Sequence, residues 1–264
     1  MSNLLKADFF ALLKSKLMYI LLIICVLSPL FTIVTDFALS KITASFADEI
    51  DQIDISTVFQ ARTVMFSNFS LTNNIGLIIP VFAGIFTMSD IRHGTIRNKI
   101  ISGHDRTKIY LSHLIVSIAF CVAMSLISFL ILCGGSLIFF KYGPAFNGAE
   151  AWNFVKCLII GLLAFAYVAS VSTFFALVTK STPMTIIFTV VLVIVLGIIS
   201  SIYSFFPEKY HLIFYLIPTF ASSMVATTGE LMNNIFFCGL GSFIGFATIN
   251  TIGGIFLFKS KDIK

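Results

Sequence analysis

Long apolar runs separated by short polar segments set the pattern of the chain. Six runs, of 18 to 32 residues each, carry almost no charge. The hydrocarbon core of a bilayer is about 30 Å thick and takes about 20 helical residues to cross. These runs are much longer than barrel strands, and backbone amides in lipid must be bonded within their own segment, so helices are predicted. The predicted spans are 17–38, 72–89, 109–140, 154–178, 184–206 and 235–258.

Three segments outside these runs predict elements that do not cross. The N-terminal sequence LLKADFFALLKSK predicts an interfacial helix, and residues 41–71 predict an amphipathic helix on the outer surface. Residues 211–228 are apolar, but Pro218 divides them into halves too short to span, so we expect an outer re-entrant segment between spans 5 and 6. The acidic residues of the outer helix are Asp48, Glu49, Asp51 and Asp54.

The distribution of lysine and arginine predicts the orientation of the spans. With the N-terminus inside, twelve of the seventeen basic residues fall in inner segments, as the positive-inside rule requires. A seventh span would place the basic C-terminus outside. The first run is longer than the roughly 7 to 15 residues of a cleavable signal core, so it is expected to be retained. We therefore predict a multi-pass membrane protein with both termini in the cytosol.

The composition agrees with this prediction and argues against metal, haem and disulfide sites in the chain. Hydrophobic residues make up 58% of the chain and the mean hydropathy is +1.02, far above soluble domains. The four histidines show no metal or haem spacing, and the five cysteines lie in apolar runs without a CxxC pair. Asp36 and Lys156 lie near the outer ends of their spans, where snorkelling to the interface is the favoured interpretation over a charge relay. We expect no catalytic residue, metal or cofactor in this chain.

The most strongly basic segment joins spans 2 and 3 and reads DIRHGTIRNKIISGHDRTKIY. As a topology signal it needs only its positive charges. Its spacing predicts more: Gly94 and Gly103 bound a short helix that Thr95 would cap. Its isoleucines, Ile96, Ile100 and Ile101, would form one apolar ridge beside three basic residues, Arg97, Lys99 and Arg106. A short helix with such a ridge and a basic flank is suited to docking.

This segment, with the six spans, the N-terminal helix and the re-entrant segment, resembles the membrane subunits of ABC-2-type ATP-driven exporters. The fixed points of the loop pattern are Gly94, Thr95, Gly103 and Arg106. Asp105 departs from it, since that family often has serine or proline there. The resemblance extends over nearly the whole chain and implies a single ABC-2-type transmembrane domain, residues 1–264.

The resemblance implies that the loop is a coupling helix seated in a groove of an ATPase. No GxxxxGK[ST] segment is present, so ATP and Mg would be bound by a separate ABC ATPase subunit. The isoleucines would fill the groove while Arg97, Lys99 and Arg106 meet acidic residues at its rim. The implied coupling residues are Arg92, Gly94, Thr95, Ile96, Arg97, Lys99, Ile100, Ile101, Gly103 and Arg106.

Small and amide residues within the spans have two interpretations. The first is helix packing, since small residues let helices approach and amides bond between them. The second is that some of them line a translocation pathway. Both interpretations concern Asn73, Asn74, Gly76, Pro80, Gly84, Gly241, Gly245 and Asn250.

The function implied is that of a permease subunit, paired with a copy of itself or a related permease in membrane lipid. Its length resembles lantibiotic-immunity and peptide-export permeases, which implies an amphipathic or antimicrobial peptide as cargo. A small-molecule drug or antibiotic exporter of the same fold is the alternative. A secondary transporter would need ionisable groups at mid-membrane, which the sequence lacks. A membrane scaffold remains open, and nucleic acid is not an expected partner.

Overall fold

The computed structural model describes residues 2–47, 59–92, 94–143, 146–207, 211–225 and 230–260. These residues form helices and connecting turns, without strands. The helices are α1 (Ser2–Lys14), α2 (Lys16–Ala47), α3 (Ala61–Ser67), α4 (Asn74–Arg92), α5 (Thr95–Ile101), α6 (Arg106–Phe139), α7 (Gly148–Thr179), α8 (Thr182–Ser201), α9 (His211–Tyr215), α10 (Pro218–Ser223) and α11 (Glu230–Ser260). A short 3-10 helix, Ile202–Phe205, extends α8. The predicted all-α fold is confirmed.

Five helices of the described chain, α2, α6, α7, α8 and α11, are long and apolar enough to cross a membrane. The second predicted span is α4, whose 19 residues contain Pro80. At 1.5 Å per residue α4 is about 28 Å long. It is close to the thickness of the hydrocarbon core, and a bend of 54° separates it from α5. The multi-pass architecture is therefore confirmed, with five candidate spans, or six when α4 and α5 are counted as one bent pair.

Helix α7 is the centre of the bundle. About 61% of its span is buried, against 17% for α8 and 22% for α2 and α11. It packs against α4, α6, α8 and α11. Its buried face carries small residues, among them Gly161, Ala164 and Ser172, which let neighbouring helices approach closely. The apolar outer faces of α2, α8 and α11 are left for lipid or another subunit.

The segment between α2 and α4 differs from the prediction. Helix α2 runs on to Ala47, and residues 48–58, with Asp48, Glu49, Asp51 and Asp54, lie outside the described residues. The following helix, α3, is buried in the bundle. Phe66 in this helix and Phe69 just after it are at most 1% exposed. The prediction of a surface helix is wrong for this part, because the charged residue of α3, Arg62, enters the interior as one partner of an ion pair.

That ion pair joins Arg62 of α3 to Glu150 in the first turn of α7. The Arg62 Nε donates to Glu150 Oε1 over 2.6 Å, and both side chains are almost fully buried. The hydroxyl of Tyr142 donates to the same carboxylate oxygen over 3.1 Å. Burial, with this bond to a carboxylate, raises the pKa of Tyr142 to about 12, so the phenol stays a donor. A charged residue can thus lie in an apolar bundle.

The segment before the last span is divided as predicted. Helices α9 and α10 are five and six residues long and meet at Ile217, before Pro218. Neither can cross a membrane, and residues 218–222 are buried against the bundle. The structure therefore confirms a broken segment in this place, not a seventh span.

Candidate functional site

Helix α5 forms where the loop pattern predicts a short helix, but its first turn is built differently. Gly94, at φ 69°, is the residue before the helix, and Thr95 is its first residue. The Thr95 hydroxyl donates to the Asp90 carbonyl over 2.8 Å, so it ties α5 to the end of α4. Thr95 as the cap is therefore a wrong prediction. After α5, Gly103 takes φ 82°, and these left-handed conformations are the reason for glycine at both ends.

The apolar ridge predicted on α5 is divided between two faces. Ile96 is 3% exposed and packs with Leu4 of α1, whereas Ile101 is 74% exposed. Ile100 is half-buried beside the same cluster. At about 100° per residue, Ile101 points roughly 140° away from Ile96, so the three cannot form one ridge. Ile96 anchors α5 to its own bundle and is not free to fill a groove of another protein.

Lys99 also faces the bundle, where it meets ionisable side chains from three other helices. Its ammonium contacts the Asp8 carboxylate of α1, which is 1% exposed, and lies 3.4 Å from Asp90 Oδ2 at the end of α4. His113 of α6 places Nε2 3.3 Å from the Asp90 carboxylate and 3.3 Å from the Lys99 ammonium. The Ser112 hydroxyl donates to Asp8 Oδ2 over 2.5 Å. We call these five residues the charge cluster.

The charge cluster has the residues of a metal site but the arrangement of an ion-pair network. Ligand atoms of Asp8, Asp90 and His113 lie within 4.8 Å of one another. The Lys99 ammonium, however, contacts all three groups and supplies the positive charge that a metal would bring. A buried carboxylate needs such a partner, since an unpaired one is costly. The cluster therefore fastens α5 to α1, α4 and α6.

Sequence reasoning missed the charge cluster. Asp8 and Lys99 are 91 positions apart, and Asp8 lies in a helix that was predicted only as an interfacial element. One signal was present. With Ile96 on the buried face, Lys99 at i+3 falls on the same side of a helix, which favours a partner inside the chain.

The remaining basic residues of the loop have different surroundings. The Arg97 side chain is exposed. Arg106 donates from Nη1 to the carbonyl of Lys259 over 3.2 Å, close to the end of α11. The Arg92 side chain lies outside the described residues. Arg97 and Ile101 are thus the exposed charge and the exposed apolar side chain of α5.

A groove runs between α1 and α5. It has a volume of about 320 Å³ and is lined by Asn3 and Ala7 on one side and by Thr95, Asn98 and Ser102 on the other. Leu4, Lys99 and His104 complete the lining, so the groove borders the charge cluster at Lys99.

The small and amide residues of the spans divide into packed and open positions. A side chain at Gly76 would overlap the backbone of Ser70 and Leu71, and one at Gly84 would touch Thr185. A Cβ atom added at Gly241 or Gly245 would meet no atom of the described chain within 4 Å. Asn73 donates to the Ser67 carbonyl over 2.6 Å, and Pro80 lies inside α4. Asn250 is half-buried, and the Asn74 side chain lies outside the described residues.

The helices and their apolar outer faces define a multi-pass membrane protein. A family model described as ABC-2 family transporter protein matches residues 4–196. The chain belongs to this family. Membership makes it a membrane subunit of an ABC transporter and implies an ABC ATPase as partner, since such subunits are generally not catalytic themselves. No curated protein matches the chain.

Proposed function

We propose that the chain is the permease subunit of an ATP-driven exporter in the bacterial plasma membrane and that α5 docks a separate ATPase. Both termini and α5 would lie in the cytosol. The observation that carries the proposal is the two-sided character of α5. One face is fastened to the bundle by Ile96 and Lys99, and the other presents Arg97 and Ile101 to solvent. A helix so held can receive force on one side and pass it to the spans on the other.

The charge cluster gives the route that the force would take. When ATP, bound with Mg by the partner, closes the ATPase pair, α5 would move with it. Lys99 joins α5 to Asp8 of α1 and Asp90 of α4, and His113 extends the connection to α6. Packed interiors transmit displacement because they have little free volume. Movement of α5 would then shift α1, α4 and α6, which it contacts through the charge cluster, and open the pathway outward.

A second permease, identical or related, would complete the pathway. The open Gly241 and Gly245 positions of α11 leave room for a close helix from that partner, whereas Gly76 and Gly84 are already packed within this chain. The proposed cargo is an amphipathic or antimicrobial peptide, exported or expelled for immunity. A small-molecule drug or antibiotic is the alternative cargo.

Charge reversal at the exposed face of α5 tests the docking. We expect Arg97→Glu to insert normally and to reduce co-purification of the ATPase at least tenfold, because a repulsive charge would replace an attractive one at the rim of the interface. Lys41→Glu, an exposed lysine at the other end of α2, is the matched control and should leave association unchanged. Arg106 is less suitable, since it also holds the end of α11.

Two results would count against the proposal. If Arg97→Glu retains full association and coupled transport, α5 is a topology signal only. If the purified chain moves its cargo in proteoliposomes without any nucleotide-hydrolysing partner, it is a secondary transporter. Membrane insertion is measured separately, by accessibility of the loop to a proteolytic probe, so that a topology defect is not mistaken for lost docking.

A further inference from the structure

A polar cavity lies at the end of the bundle opposite α5. It has a volume of about 350 Å³ and is bounded by α2, by the end of α3, by the start of α4 and by α6. Asp36 lies 20 residues after the start of α2, about 30 Å along the helix axis. Polar side chains form most of its wall, in a bundle whose other surfaces are largely apolar. The polar side chains of the wall are Ser28, Thr32, Thr35, Asp36, Ser67, Asn68 and Asn73.

Three hydroxyl groups of this wall donate their hydrogens to carbonyl groups of their own helices. Thr32 donates to the Ser28 carbonyl over 3.1 Å, and Thr35 donates to Phe31 and Thr32 carbonyls. Ser67 likewise donates to the Val64 carbonyl over 2.7 Å. A hydroxyl has one hydrogen and two acceptor lone pairs, so each of these groups offers the cavity acceptors alone.

Two further polar groups line the cavity. Asn73 donates one of its two amide hydrogens to the Ser67 carbonyl over 2.6 Å, and its side-chain oxygen adds an acceptor beside the remaining N–H. Asp36 supplies a carboxylate that is half-buried and makes no hydrogen bond or ion pair with the described part of the chain. An ionisable side chain that lacks a partner within a membrane span is a candidate functional site, and Asp36 lies here in a cavity and not at the lipid-facing surface that snorkelling would require. A group that carries positive charge and hydrogen-bond donors would complement this carboxylate and the acceptors around it.

We propose that this cavity binds a primary ammonium group, and that the ammonium is a lysine or terminal amine of the cargo. The inference rests on the proposed export function and names the chemical group that the far end of the pathway recognises. An ammonium has three donors and no acceptor, which matches a wall of acceptors around one carboxylate. The cavity volume suits the end of one lysine side chain rather than a folded peptide. A phosphatidylethanolamine headgroup carries the same chemistry and is the other source to be distinguished.

Binding to the permease alone tests the proposal without any ATPase. The protein is placed in nanodiscs of phosphatidylcholine, which has no primary amine, and a fluorescent amphipathic helix of leucine and lysine is titrated against empty nanodiscs as blank. The same peptide with acetylated lysines serves as the neutral probe. We expect Asp36→Asn to weaken specific binding of the lysine peptide about tenfold and Asp36→Glu to retain it within threefold. Asp105→Asn, which removes an exposed carboxylate near α5, is the control for general attraction and should change nothing.

Each result decides between the alternatives. Equal binding by wild type and Asp36→Asn, or equal binding of the acetylated peptide, overturns the proposal. A second set of nanodiscs contains phosphatidylethanolamine. If this lipid blocks binding of the peptide to wild type but not to Asp36→Asn, the ammonium site is supported and is assigned to lipid. Because no ATPase is present, failure here leaves the docking test at Arg97 intact, and failure of docking leaves this binding intact. Size-exclusion profiles confirm that the variants are folded.

Discussion

Replacement of Lys99 by methionine is expected to destabilise the protein and to release α5 from the bundle. Methionine keeps the length of the side chain but removes its charge. Asp8, 1% exposed, would lose its ion pair and keep only the Ser112 hydroxyl. Removing one partner of a buried ion pair costs about 3–5 kcal/mol. Because the loss is concentrated where α1, α4, α5 and α6 meet, local opening of α1 and α5 should precede unfolding of the spans.

The measurement is thermal unfolding in nanodiscs together with hydrogen exchange of the α1 and α5 amides. Arg97→Met is the matched control, since it removes the same charge from the exposed face of the same helix and should leave both signals unchanged. Adding Asp8→Leu to Lys99→Met should recover at least half of the lost stability, because an apolar pair can replace a buried ion pair at little cost. Equal effects of the two methionine variants would show that the charge cluster does not hold α5.

The same variants separate docking from transmission. Arg97→Met is expected to weaken association with the ATPase without loosening α1. The double variant Lys99→Met with Asp8→Leu is expected to restore the position of α5, and with it ATPase association. If the restored protein binds ATPase but does not transport, the ionic contacts themselves are needed for transmission and not only for holding α5 in place.

Much of the fold could be predicted because crossing a bilayer imposes a simple requirement on sequence. Runs of about 20 apolar residues must be helices, so α2, α6, α7, α8 and α11 were each predicted, although α2 extends nine residues and α7 begins six residues beyond the predicted bounds. The division at Pro218 followed from proline chemistry. Helix α3 was missed because its burial depends on the distant partner Glu150, 88 residues from Arg62, which no local pattern reveals.

The site shows a similar limit. The two glycines correctly predicted a short helix between α4 and α6, since both positions have the left-handed backbone that glycine favours. Three isoleucines alone did not tell which face would meet the bundle. That depended on Leu4, Tyr110 and Phe258, brought to α5 from three other helices. Hydropathy predicts which segments leave water, but contacts between their faces depend on shape and on pairs far apart in sequence.

Gly161 makes one such contact that hydropathy does not reveal, and its replacement by alanine is expected to destabilise the bundle. A Cβ atom there would overlap the ring of Phe69. Phe69 is fully buried and stacks on Phe129 with ring centroids 4.9 Å apart, so it has no free space to move into. Overpacking of this kind costs about 1–3 kcal/mol. The expected result is lower thermal stability in nanodiscs with loosened packing of α3 against α7.

Gly241→Ala is the control that isolates the steric effect. It makes the same change of residue on α11, at a position with open space around it. Alanine favours helix over glycine by about 1 kcal/mol, so both variants gain the same helical preference and differ in their surroundings. We expect Gly241→Ala to be neutral or stabilising in the isolated subunit. If both variants unfold at the same temperature, α3 and Phe69 do not pack against α7 as the structure has them. The buried position of Arg62 in α3 would then be wrong as well.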